Sequence, residues 1–139
     1  MTLTNLRSLR RRKIVDTATA GTIGRVKGVH IDIAGPSVAA VMIKGRGSGV
    51  IPRDSVIGFG PDAVTVPGES VVSQDSPSLP TDADAYGARL LDETGRHLGK
   101  VEDLTMDDDG RIVSVTADGT TYERTLLGIG SYAVVVSRD

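Results

Sequence analysis

The densest charge in the sequence sits near its start. Arg7, Arg10, Arg11, Arg12 and Lys13 place five cations within seven positions. Such a run can grip phosphates or an acidic partner. The simpler reading is a solvated edge whose charge discourages unwanted strand pairing. RNA-binding surfaces usually add aromatic rings for base stacking. Phe59, Tyr86, Tyr122 and Tyr132 are too few and too distant in sequence to suggest such a platform.

The other residues that could do chemistry do not assemble into a motif. His30 falls on the polar phase of a strand pattern and His97 lies in a turn near Gly95. A metal site needs three or four converging ligands, so both are read as surface histidines. Asp107-Asp108-Asp109-Gly110 resembles the start of a calcium loop, but Gly110 stands fourth and Arg111 fifth, and Asp118 occupies the twelfth place. The EF-hand pattern asks for Gly at six and Glu at twelve. An acidic hairpin turn fits better. Gly58-Phe59-Gly60-Pro61-Asp62-Ala63 and Gly128-Ile129-Gly130-Ser131-Tyr132-Ala133 satisfy a Gly-x-Gly-x-x-Ala string. A dinucleotide site needs a helix after that string, and here a β-run follows. Ser48 is flanked directly by Gly47 and Gly49, unlike a nucleophile elbow. Glu93, Glu102 and Asp103 form no recognisable acid–base pair. The expectation is a protein without catalytic residues, metal or cofactor, hence not an enzyme.

Composition narrows the classes further. Net charge is −2, which gives no global pull toward nucleic acid or anionic membrane. The absence of cysteine removes disulfides, thiolate chemistry and Cys-based metal sites. That fits a cytoplasmic setting. The basic N-terminal run has no apolar stretch behind it, so it lacks the h-region of a signal peptide. No segment approaches the roughly 18 apolar residues of a membrane helix. Aromatics make up only 3% of the chain, so its core must come from Val, Ile, Leu and Ala. Seventeen glycines point to turns and bulges rather than long helices.

A repeat organises these elements. Gly58-Phe59-Gly60-Pro61-Asp62-Ala63-Val64-Thr65-Val66 returns seventy positions later as Gly128-Ile129-Gly130-Ser131-Tyr132-Ala133-Val134-Val135-Val136. Lys13-Ile14-Val15-Asp16 resembles Arg89-Leu90-Leu91-Asp92, and Ile23-Gly24-Arg25-Val26 resembles Leu98-Gly99-Lys100-Val101. The first copy is longer at the turn spanning Gly45 to Gly49, as loops of duplicated units often are. Between the copies, 67–85 is rich in Pro, Ser and Asp and reads as a linker, with Val71, Val72 and Leu79 offering some apolar grip.

Strand patterns dominate each copy. Val29, Ile31 and Ile33 alternate with polar or small residues. Val26 is one residue out of phase with Val29, and Val101 with Leu104. A β-bulge at Lys27-Gly28 and at Glu102-Asp103 restores the inward face and bends the strand, which is how small sheets curl. Gly35-Pro36 and Asp109-Gly110 signal turns. Returning strands follow at Val38 to Lys44 and Arg111 to Ala117, and a third short strand reaches Ile51-Pro52 and Tyr122-Glu123. A brief helical turn is expected at Arg53 to Val56 and again at Arg124 to Leu127. A short helix is expected from Leu3 to Leu9, with Thr2 or Thr4 as N-cap.

In that order, the elements resemble a PRC-barrel domain, twice. This small β-barrel is also found in the photosynthetic reaction-centre H subunit and in the C-terminal half of the bacterial ribosome-maturation factor. The resemblance rests on Leu3 to Arg7, Lys13 to Asp16, Ile23 to Val26, Val50 to Val56 and Gly58 to Val66. In the second copy it rests on Arg89 to Asp92, Leu98 to Val101 and Gly128 to Val136, with Tyr122 in place of Pro52. It implies an all-β protein of two small barrels in tandem, each of about five strands with a bulge and a short helical turn. The units are expected at 1–66 and 86–139, with 67–85 between them. It also implies non-enzymatic binding of another protein, with RNA or ribosome association as the alternative use of Arg7 and Arg10 to Lys13. The halves are expected to pack as an intramolecular pseudo-dimer, with a homodimer of chains as the alternative.

Overall fold

The computed structural model describes residues 2–45 and 48–139. Arg46 and Gly47, within the turn where the first copy is longer, lie outside them, as does part of the Gly-Ser-Gly tip.

Two curled sheets form, and their strand orders are the same. The first copy contains β2 (Lys13–Asp16), β3 (Thr22–Asp32), β4 (Ser37–Lys44), β5 (Gly49–Pro52), β6 (Gly58–Phe59) and β7 (Ala63–Val66). They lie in the order β5-β4-β3-β2-β7-β6. The second contains β8 (Arg89–Asp92), β9 (His97–Met106), β10 (Ile112–Ala117), β11 (Thr120–Tyr122), β12 (Leu126–Ile129) and β13 (Ala133–Val136). Their order is β11-β10-β9-β8-β13-β12. In each copy one pair is parallel, and its register repeats: Lys13 faces Ala63 as Arg89 faces Ala133. Each copy has a sixth strand beyond the five expected, because residues at the Gly-x-Gly turn pair back on the last strand.

The bulges fall where the phase changes require them. Register slips between Val26 and Gly28, leaving Lys27 as the extra residue. It slips again between Val101 and Asp103, which leaves Glu102 extra. A second slip in each copy, at Ala39 and at Val113, bends the returning strands as well. These bends turn Val26, Val29, Ile31, Val41, Ile43 and Ile51, with their counterparts Val101, Leu104, Met106, Val115 and Ala117, into one continuous core.

Three expectations are corrected by pairing. The N-terminal helix α1 covers only Leu6–Leu9, and its N-cap is Asn5 rather than Thr2 or Thr4. Thr4–Asn5 instead form a strand, β1, against Thr105 and Met106 of β9, where their backbone groups find ladder partners. The helical turn expected at Arg124 to Leu127 is absent, since Leu126 begins β12. Only the first copy has such a turn, at Arg53–Ser55. Tyr122 faces Val115 as Ile51 faces Val41, so Tyr122 takes the place of Ile51, and Glu123 that of Pro52. The second copy is one residue shorter just after this point, which leaves too little chain for the turn.

The halves interlock by exchanging their leading segments. β1 and α1, ahead of the first copy, lie on β9 of the second. Reciprocally, Pro80, Thr81 and α2 (Asp82–Ala85), ahead of the second copy, lie on β3 of the first. Ile31 N donates to Pro80 O at 2.8 Å, and His30 bridges to Thr81. Near the centre, Val38 N donates to Gly110 O and Ile112 N to Pro36 O, both at 2.8 Å, around the bridge between Ser37 and Arg111. The contacts are therefore related by an approximate twofold axis.

Candidate functional site: an uncovered sheet edge

The five cations of the N-terminal run are split up by the fold. Arg7 donates from Nε to Glu102 O and lies over the Tyr86 ring at 4.3 Å. Arg10 pairs with Asp82 at 2.9 Å. Arg12 donates to Gly60 O at 2.7 Å and to Ser8 Oγ at 3.2 Å. Only Arg11 and Lys13 leave their charged ends without a partner among the described residues.

Asp82 is the polar centre of the exchanged segments and is 1% exposed. Its carboxylate accepts from Val29 N at 3.0 Å, Arg10 Nη1 at 2.9 Å and Tyr86 Oη at 2.9 Å. A side chain at Gly28 would come within 2.7 Å of Asp82 Oδ1, so that position must stay bare. Burial, followed by the Asp82 charge and hydrogen bond, raises the Tyr86 hydroxyl well above its usual range. Tyr86 therefore remains a neutral donor to the carboxylate. Both oxygens of the Asp82 carboxylate are thus spent on the joint between the halves.

His30 departs from its expected place on the surface. It is 7% exposed, with Nδ1 3.2 Å from the Leu79 carbonyl. A carbonyl can only accept, so Nδ1 carries the proton. The 79–81 segment covers the face that would otherwise have met solvent. Among the described residues, no group of three or more His, Asp or Glu is placed to hold a metal ion. The Asp107 turn uses its carboxylate internally, accepting from Asp109 N at 2.9 Å and Arg111 N at 3.0 Å. Asp92 works similarly: hydrogen bonds from the Thr94 hydroxyl and from backbone amides hold its carboxyl below the value of 3.8.

The strongest asymmetry between the copies lies at the outermost strands. In the first, β5 is covered. Val50 N donates to Ser73 O at 2.9 Å, and Ser73 N to Val50 O at 2.8 Å. Val71 and Val72 also pack on the core, so 67–85 is anchored along its path rather than hanging free. Any side chain on Gly49 would strike Ser73 O at 2.7 Å, which shows how closely this strap approaches. In the second copy, Thr121 occupies the place of Val50, since it faces Thr116 as Val50 faces Met42. Among the described residues nothing pairs with the outer edge of β11. Thr120 and Thr121 are exposed. Sequence reasoning missed this edge because only pairing across the sheet shows that one copy has a strap and the other has none. Asp118-Gly119, with φ of 46° and 83°, makes the tight two-residue turn that sets β11 at the rim.

Residues 81–138 match the PRC-barrel domain model, so the second half-barrel is a PRC-barrel domain. The match starts at Thr81, just before α2, and ends within the C-terminal tail. The first half repeats the same strand order outside the matched residues. No curated protein matches the chain. No helix among the described residues is long and apolar enough to cross a membrane.

Proposed function

We propose that the chain is a non-enzymatic, cytoplasmic protein-binding scaffold, and that β11 receives an extended segment of a partner protein as an added strand. The carrying observation is the strap. The molecule itself occupies the equivalent edge of its first copy with Ser73, through a reciprocal backbone pair with Val50. An open edge with the same geometry presents unpaired N–H and C=O groups, and strand addition is a recurrent way to satisfy them. RNA binding through Arg7 and Arg10 to Lys13 receives less support, because the guanidinium groups of Arg7, Arg10 and Arg12 are engaged within the molecule.

The test is site-specific photo-crosslinking in the native cell. A photo-reactive side chain replacing Thr120 is expected to capture a discrete protein partner, and Thr121→Pro in the same chain is expected to abolish that adduct. Proline removes the outward donor while leaving the inner pairing to β10. The reading fails if the adduct survives Thr121→Pro, or if the same label at exposed Leu127 captures the same protein equally well.

A further inference from the structure

A second feature lies on the outward face of β2, β3 and β4. Lys13 stands directly opposite Arg25, and Arg25 directly opposite Lys44. Adjacent strands are about 4.8 Å apart, so these three cations span only about 10 Å. Arg11 joins them around an open groove of about 720 Å³, whose remaining walls include Thr22 and Val26. All four cations are exposed. Among the described residues no carboxylate lines the groove, and none of the four makes an ion pair. Arg25 Nη1 donates to Arg11 O at 3.1 Å, which holds its guanidinium at the rim.

Like charges placed directly opposite each other destabilise a sheet. A sequence under selection for stability alone would break such a row with an acid, and the second copy does so. Arg89 and Lys100 hold two of the equivalent positions. Gly87 replaces Arg11. Asp118 replaces Lys44, since it follows Ala117, which faces Val101 as Ile43 faces Val26. Four cations in one copy thus correspond to two cations, a glycine and an acid in the other.

We infer that the groove bounded by Arg11, Lys13, Arg25 and Lys44 binds a compact polyphosphate: two or three linked phosphates, free or carried on a small molecule. Arginine offers a planar fork and lysine a point charge, and both are phosphate partners. The row is short, which suits a charge-dense ligand rather than a polymer. Among the described residues no aromatic ring lines the groove, so a base would find nothing to stack on.

The test is titration of the full chain with sodium tripolyphosphate at low salt, read by calorimetry and by backbone amide shifts. One-site binding is expected, with shifts concentrated at 11–13, 22–26 and 44–45. Lys44→Asp, which copies the second half, should weaken binding by about tenfold or more, and Arg25→Gln by about tenfold. Arg111→Gln, an exposed cation elsewhere, should stay within about twofold. Without ligand, Lys44→Asp should raise the melting temperature by relieving repulsion in the row. Weaker binding in a more stable protein cannot be attributed to misfolding. Absence of binding at millimolar tripolyphosphate, shifts centred elsewhere, or unchanged affinity in Lys44→Asp would overturn the inference. Tighter binding of single-stranded RNA than of tripolyphosphate at matched phosphate concentration would overturn it too.

Discussion

In the first copy, the outermost strand is sealed by Ser73, and the cross-strand row of Lys13, Arg25 and Lys44 on β2 to β4 is entirely basic. In the second, the equivalent strand is bare and the equivalent face is broken by Asp118. Strand order, parallel pair and bulges are nevertheless the same in both. The shared features are those that close the core. The differences lie on edges and outward faces, where a substitution costs little stability and changes what the surface can meet. Two copies of one architecture can therefore present different surfaces within one chain.

Each prediction tests one side of this comparison. The largest effect is expected at the joint. Leu6 and Asp82 head the two exchanged helices, one apolar and one acidic, and both are 1% exposed. Asp82→Ala leaves the Val29 amide, Arg10 and Tyr86 without their shared acceptor and should cost about 3 kcal/mol in urea unfolding. A loss under about 1 kcal/mol would mean that the joint does not depend on this carboxylate.

The strap should come next. Ser73→Pro deletes a donor to Val50 and should cost about 1 kcal/mol, whereas Thr121→Pro should remain within about 0.5 kcal/mol. Equal costs would show that β11 is covered after all. Hydrogen exchange gives the same contrast without mutation, with a protected Val50 amide and a fast-exchanging Thr121 amide.

A comparable effect, with opposite signs in the two copies, is expected just after the two helices. Arg11 and Gly87 occupy equivalent left-handed positions, with φ of 72° and 78°. Their amides donate to Val26 O and Val101 O in the same way. Gly87→Ala meets no atom within 4 Å, so its cost is purely that of the backbone. It should destabilise by about 1 kcal/mol, and Arg11→Gly should stabilise by up to about 1 kcal/mol. Thermal melts of both variants would decide, and a shared sign would break the equivalence.

The smallest effect is expected in acid. Asp92 has a lowered pKa in the folded state, so its contribution is present above the unfolded value of 3.8 and is lost as pH falls through the folded value. The stability gap between wild type and Asp92→Asn should accordingly be constant near neutrality and close below pH 3.8. A gap that persists at the lowest pH would show that the turn does not depend on the ionised form.

The sequence by itself determined the features that depend on near neighbours. Alternation along Val29, Ile31 and Ile33 marked a strand, and the phase slips at Val26 and Val101 marked bulges, because side chains alternate strictly from face to face. The order of elements, seen twice, pointed to the PRC-barrel. The tertiary structure decided what depends on pairing between distant segments. The 79–85 segment laid on β3 buries His30 and Asp82, although nothing around either residue signals a cover. Sheet register sets Lys13, Arg25 and Lys44 side by side from three separate strands, while tertiary contacts give Arg7, Arg10 and Arg12 partners within the molecule. A run of charge in sequence and a cluster of charge in space are different objects, since neighbours across a sheet are chosen by backbone hydrogen bonds rather than by position in the chain.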